Sequence, residues 1–304
     1  MHNHYAKPAW VNNAKGDVRC AGFELEFAGL DLQTAANAVA QAVNGEVIKD
    51  TQAECKVRHP QFGDFKIELD WSFAKNMARK RLEEQGASED AVLELMTDLA
   101  RQVVPLEVVC PPVPVDQLQV LDSMVRALQQ AGSLGTSDSL IYAFGVHINT
   151  ELPALTAQTL VPYLQAYCVS QHWLMKAHDV DTLRRLTPYI DTYPKRYVQT
   201  VMAYTVDTPM QQLIDDYLEY NPTRNRGMDL LPLFKQIDEA RVLAAVQDER
   251  VNARPTFHYR LPNCEIEKAG WGLVDSWNIW CVVEHLAADP VTLKSMCEQW
   301  TDYN

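Results

Sequence analysis

The sequence has no glycine-rich phosphate loop. Neither GxxxxGK[ST] nor GxGxxG occurs among its 12 glycines, which excludes the two common backbone cradles for a nucleotide phosphate. A GxSxG elbow and an HExxH pair are also missing, so neither an elbow serine hydrolase nor a zincin-type protease fits. Seven cysteines stand singly at positions 20, 55, 110, 168, 264, 281 and 297, with no CxxC. An odd, scattered set suits reduced thiols better than a disulfide framework or a zinc site. Positive charge is scarce: 27 Lys and Arg against 40 Asp and Glu give a net charge of −13. That balance argues against general nucleic-acid or anionic-membrane binding, because phosphate affinity needs a Lys/Arg excess. No apolar run approaches the ~20 residues of a membrane span. The opening MHNHYAKPAWVNNAK lacks the apolar stretch of a secretory signal. A cytoplasmic protein is expected.

What is present is an ordinary globular composition, 47% hydrophobic and 22% charged over 304 residues, enough for a large core. Gly22-Phe23-Glu24-Leu25-Glu26-Phe27 reads as a strand with Phe23, Leu25 and Phe27 on one face and two carboxylates on the other. From a rise of ~3.3 Å per residue those carboxylates lie about 7 Å apart along the strand. The apolar spacing of DLQTAANAVAQAV predicts a helix stopping near Gly45, and residues 46–70 are strand-like. That stretch ends in FKIELDWSF, where Lys66, Glu68 and Asp70 alternate with Phe65, Ile67 and Leu69. A charged connector with basic residues between Lys75 and Arg81 leads into a helix expected from Ser88 to about Val103. LEVVCPP is a short strand whose single charge, Glu107, is costly unless paired or metal-bound. An amphipathic helix closing at Gly132 precedes FGVHINTE, where His147 and Asn149 share one strand face.

From 153 to 250 the pattern becomes helical without strand alternation, and Leu160, Tyr163, Leu164, Tyr167, Val169 and Trp173 have core spacing. Within it, Arg224 and Arg226 flank Asn225 in a Pro-to-Gly turn. This turn is either a plain surface connection or a presenter of bidentate donors to phosphate or carboxylate. TFHYRLPN follows, with His258 and Arg260 alternating against Phe257, Tyr259 and Leu261, and two helices close the chain. Nothing marks a domain boundary, so the expectation is one catalytic domain over 1–304 with a helical insertion or lid at about 153–250.

If these strands share a sheet, Glu24, Glu26, Asp70, Glu107, His147, Asn149 and Arg260 line one polar face. Crowded carboxylates repel one another and take up protons. A divalent cation relieves the conflict, and Mg²⁺ binds through a few carboxylates plus substrate phosphates. The residue pattern leaves parallel and antiparallel sheets open.

In that order, GFELEF, LEVVCPP, FGVHINTE and TFHYRLPN resemble the amidoligase family of the glutamine synthetase and γ-glutamylcysteine ligase (carboxylate-amine ligase) superfamily. The resemblance runs from Gly22 to about Glu284. It implies an α+β fold, a curved antiparallel half-barrel sheet flanked by helices, and ATP-dependent joining of a carboxylate to an amine with Mg²⁺ or Mn²⁺. Carried over, Glu24, Glu26 and Glu107 become metal ligands and His147 a metal or nucleotide-phosphate ligand. Asn149, Arg224 and Arg226 join the nucleotide contacts, Arg260 contacts phosphate or the substrate carboxylate, and Asp70 orients the amine. His258 stands where the family pattern has a Glu; either a neighbouring acid such as Glu265 supplies that ligand, or this branch has changed its metal stoichiometry or lost activity. The expected partners are small-molecule or peptide carboxylates and amines. The alternatives are a non-catalytic relative that binds a ligand or protein, and a metal-dependent hydrolase.

Overall fold

The computed structural model describes residues 4–49, 51, 53–70, 105–136, 144–180, 184 and 190–303. The helix expected at Ser88–Val103 and the basic cluster at Lys75–Arg81 lie outside these residues.

Alternation in the sequence becomes an open, nine-stranded sheet whose pairings are all antiparallel. Strand β1 (Cys20–Phe27) lies centrally, and helix α1 (Leu32–Val43) follows it. Asp31 caps α1 through the Thr34 amide, and Asn44 ends it in the left-handed region. A meander of β2 (Glu46–Lys49), β3 (Glu54–His59) and β4 (Gly63–Leu69) then builds one wing. Strand β5 (Leu106–Val109) enters between β4 and β1, and β6 (Val113–Pro114) continues alongside β1 past the Pro111-Pro112 break. On the other side of β1 come β7 (Val146–Thr150), β9 (His258–Tyr259) and β8 (Met228–Asp229). The sheet does not close, and the helices flank it.

One sheet face is apolar. Phe23, Leu25, Phe27, Leu106, Val108, Val146 and Ile148 are fully buried. α1 and α2 (Leu121–Ala131) pack together on the meander side, with Ala35, Ala36 and Val39 inward from α1 and Leu121, Met124, Val125 and Leu128 from α2. Under β1 and β9 lies α8 (Leu273–Ala287), whose Trp277 meets Phe23 and whose Trp280 meets Phe257 and Tyr259. Helix α3 (Ala157–Ala177) packs on α8, and α9 (Pro290–Tyr303) on α3.

The block expected to be helical also holds α4 (Lys195–Met202), α5 (Met210–Tyr220), α6 (Leu231–Ile237) and α7 (Glu239–Ala245). It is not purely helical, because β8 lies inside it and closes one edge of the sheet. Too short to show alternation, β8 is held from outside: the Tyr193 hydroxyl donates to the Met228 carbonyl at 2.6 Å, and the Leu230 amide donates to the Tyr217 hydroxyl at 3.0 Å. Leu160, Tyr163, Leu164 and Tyr167 are core, as their spacing implies. Trp173 is not: it is 48% exposed on the outer side of α3.

A buried ion pair ties the sheet to the helical layer. Arg19 and Glu284 are both fully buried and meet bidentately at 2.8 and 3.0 Å. The remaining guanidinium hydrogens go to the carbonyls of Trp10 and Glu151, while Tyr163 and Trp280 also donate to Glu284. Because every partner is used, truncating one leaves the others buried and unsatisfied. Glu284→Ala is expected to cost about 3–5 kcal/mol in urea unfolding with little change in m-value. Pairing it with Arg19→Met should cost less than the sum of the two single changes.

Candidate active site

The second face of the sheet is polar, and register decides which polar groups meet. Glu26 lies opposite Glu107, which lies opposite Glu68, so three carboxylates cross β1, β5 and β4 in one row. One pleat along, Glu24 lies opposite His147, and Gly22 lies opposite Asn149. Cross-strand partners share a face, so β7 brings an imidazole and a carboxamide beside the β1 carboxylates. β9 adds His258, the residue just past it adds Arg260, and β8 adds Asp229.

Glu24 is the hub. Its Oε2 lies 2.8 Å from His147 Nδ1, and its Oε1 accepts from Asn149 Nδ2 at 2.9 Å and from Arg254 Nη1 at 3.2 Å. Asn149 Oδ1 lies 2.6 Å from His258 Nδ1. With the carboxamide nitrogen donating to Glu24, the carboxamide oxygen is turned towards His258 Nδ1. Arg254 Nη2 stands 3.0 Å from the same His258 nitrogen. The other edge of His147 faces Glu26, Nε2 to Oε1 at 3.6 Å, and Glu26 Oε2 accepts from the Gly145 amide at 2.7 Å. That last bond requires a bare backbone, since a Cβ on Gly145 would come 2.7 Å from Arg184 Nη2. Arg184 itself donates to the carbonyls of Arg260, Leu261 and Pro262, fixing the turn that follows β9.

The electrostatics divide the face in two. Burial pushes the Glu107 carboxyl well above the usual carboxylate range, and Glu24, Glu26, Asp70 and Glu68 push it further. Burial acts on Glu24 in the same direction, yet its contacts with His147 and the Arg254 guanidinium hold it well below its ordinary value. Burial, reinforced by Arg260 and Arg254, drives His258 well below the usual imidazole range, so it is neutral. At the far end burial raises the Asp229 carboxyl despite Arg260, Arg224 and Arg254 nearby, and lowers the Arg224 guanidinium, with Arg260 and Arg250 adding to the effect. Arg260 Nη2 is 3.9 Å from Asp229 Oδ2. Among the described residues neither that oxygen nor the Nε of Arg260 or Arg254 meets a hydrogen-bond partner, although all three atoms are buried.

The expected residues therefore sort into three groups. The sheet brings together Glu24, Glu26, Glu107, His147 and Asn149, with Asp70 close enough to bias Glu107 and Arg260 at the basic end. Arg224 reaches the surroundings of Arg260 and Asp229. Two are placed elsewhere. Arg226 is a structural brace: its Nε donates to Asn221 Oδ1 at 2.7 Å and its Nη1 to the Thr192 carbonyl, which holds the turn. Glu265 pairs with Lys268 at 2.6 Å and belongs to neither ligand group. The acid missing from the late strand is thus not replaced by Glu265. His258 itself stands with Glu24 and His147.

Two sets of ligand atoms lie within 4.8 Å of one another among the described residues: Glu24, His147 and His258, and Glu26, Glu107 and His147. Carboxylate oxygens are the donors a hard divalent cation takes, and imidazole nitrogens suit a first-row transition ion, so the residues fit a divalent cation. Arg254 is the residue that sequence reasoning missed. It lies before the strand, in ARPTF, where no alternation reports its direction.

An open antiparallel sheet with carboxylates, imidazoles and guanidinium groups ordered across one face defines a class: a sheet-face site suited to a cation beside an anion. The chain belongs to the family described as "Putative amidoligase enzyme", whose model matches residues 17–282. No curated protein matches it. The family points to an enzyme of the ligase type acting on small molecules. Among the described residues no helix is long and apolar enough to cross a membrane.

A cation binding at Glu107 must displace the proton that crowding holds there. Mg²⁺ or Mn²⁺ affinity is therefore expected to climb with pH through the raised Glu107 range, with proton release on binding. Calorimetry in buffers of different ionisation enthalpy measures that release, and Glu107→Gln should remove most of it.

Proposed function

We propose that the chain is an ATP-dependent carboxylate–amine ligase of glutamine synthetase-like architecture, one catalytic domain whose 153–250 block covers the site. A single observation carries this reading. Glu24, Glu107 and His147 from three separate strands, and Arg260 just past a fourth, converge on one sheet face, with acids at one side and guanidinium groups at the other.

The reaction divides along the same line. A substrate carboxylate oxygen attacks the γ-phosphorus of ATP in line, the bond to the β-phosphate oxygen breaks, and ADP leaves. The amine nitrogen then attacks the acyl carbon, phosphate departs with its electron pair, and the nitrogen loses a proton to a nearby base. A bound Mg²⁺ or Mn²⁺ supplies charge neutralisation for the phosphate oxygens. Glu26 and Glu107 with His147, or Glu24 with His147 and His258, would hold such a cation. Arg260 and Arg254 offer guanidinium donors to the transferring group, and their buried, unpartnered Nε atoms suit an anionic ligand. Arg224, brought in by the turn after α5, adds positive charge at this end. Asp70, beside the acidic row, is suited to an incoming ammonium group and to the proton it sheds. Water must be kept from the acyl phosphate, a task suited to the helical block.

The test is ADP formation in purified protein supplied with ATP, Mg²⁺ or Mn²⁺, and panels of carboxylates and amines. Turnover should require both co-substrates. Glu24→Gln and Glu107→Gln should each lose at least about 100-fold in kcat/KM, the scale of removing one charge-stabilising group from a transition state, while circular dichroism shows the fold retained. Near-normal rates in either variant would remove that residue from the site. Turnover without ATP would instead favour a metal-dependent hydrolase.

A further inference from the structure

The two ligand sets differ in chemistry although they share His147. One is built from Glu26 and Glu107 with that imidazole, so it is mostly carboxylate and lies in the acidic row. The other is Glu24, His147 and His258, one carboxylate and two imidazoles, all three buried. The rings of His147 and His258 meet edge to face, 5.0 Å between centroids. A neutral imidazole has one ring lone pair, so His147 serves one set at a time. Hard, oxygen-seeking Mg²⁺ keeps its waters and favours carboxylates, whereas imidazole-rich sets favour first-row transition ions.

The surroundings of the nitrogen-rich set are those of a prepared ligand. His258 Nδ1 is tied to the Asn149 carboxamide at 2.6 Å, and Asn149 is itself oriented by Glu24 at 2.9 Å. With Asn149 and Arg254 both at Nδ1, the ring is held in place and its other nitrogen is left to face a cation. A serviceable O-ligand in place of His258 would have had no such use for the carboxamide oxygen, because two acceptors would then face each other.

We propose that Glu24, His147 and His258 form a cation position that selects a transition ion such as Mn²⁺ or Co²⁺ over Mg²⁺, beside the harder carboxylate position at Glu26 and Glu107. The inference rests on the ligase reading only in assuming that this face binds divalent cations. It assigns to His258 a direct ligand role and to Asn149 a positioning role, and it makes the late-strand histidine a change of metal preference instead of a loss of the site.

The experiment is equilibrium binding to the full chain without nucleotide. Free Mn²⁺ is followed by its EPR signal, Co²⁺ by its visible absorption, and Mg²⁺ by competition against bound Mn²⁺. The wild type should bind Mn²⁺ and Co²⁺ at least about tenfold more tightly than Mg²⁺. His258→Glu should fold, retain divalent binding and lose most of that preference, with the Co²⁺ spectrum shifted towards oxygen ligation. Asn149→Ala should weaken Co²⁺ binding by about 10–100-fold without equalising the ions, the range for loss of an outer hydrogen bond to a ligand. Equal affinity for Mg²⁺ and Mn²⁺ in the wild type, or an unchanged ratio in His258→Glu, would overturn the selectivity while leaving the ligase reading standing. Absence of any divalent binding at millimolar concentrations would overturn both.

Discussion

The mutual repulsion of carboxylates on one face of the sheet is the constraint from which most of the site follows. Backbone pairing places Glu26, Glu107 and Glu68 in a single row and Glu24 one pleat away. Such a row in half-buried surroundings is unfavourable unless positive charge or protons enter it. The protein meets the demand differently along the row. Glu68 is answered by Lys66 at 2.7 Å, Glu24 by His147, Asn149 and Arg254, and Glu26 by the Gly145 amide. Glu107 gains no such partner from its neighbours in the row, and its carboxyl is the one pushed upward. The electrostatic deficit is thus concentrated at a point where a cation can be taken up.

Nothing in that arrangement is supplied by local sequence alone. The GFELEF alternation made the two faces of β1 legible, and the apolar partners Phe23, Leu25 and Phe27 are indeed fully buried. The capped helix after it and the amphipathic helix ending at Gly132 were equally readable, because caps and apolar spacing are short-range signals. Strand order was not. Period-2 alternation is the same in parallel and antiparallel sheets, and only the resemblance pointed to the antiparallel one. β8 escapes because two residues cannot alternate visibly, and it is held by tyrosines whose bonds span 13 and 35 positions.

The candidate site shows the same division. Glu24, Glu26, Glu107 and His147 could be chosen from strand patterns because each lies in a segment whose opposite face is apolar. Arg226 shows why the turn stays open to two readings in sequence: a guanidinium there is as well suited to bracing the chain as to meeting an anion, and only distances show it donating to Asn221 and Thr192. Glu265 was chosen on proximity in the chain, yet Lys268, three residues on, neutralises it locally. Arg254 lies outside any regular element, and its approach to Glu24 spans 230 positions of sequence. Long-range pairs of this kind are fixed by topology, which a one-dimensional pattern does not carry.

The missing glycine loop finds its explanation here as well. A backbone cradle binds phosphate with consecutive amides and needs left-handed turns to aim them. Of the five described glycines with positive φ, four (Gly16, Gly29, Gly132 and Gly270) lie outside the strands, and Gly63 opens β4 at the end away from Glu68. Along β1, β7 and β9 the backbone amides are largely committed to ladder hydrogen bonds and cannot be redirected to a ligand. A flat ladder must recognise an anion with side chains, either through a cation held by carboxylates or through guanidinium groups rising from the next strands. Both devices are present in order across one face: acids on β4, β5 and β1, imidazoles on β7 and β9, guanidinium groups from just past β9 and the segment before it. A net charge of −13 is therefore compatible with an anionic substrate, since the positive charge that matters is local and part of it is a cation that the acids themselves attract.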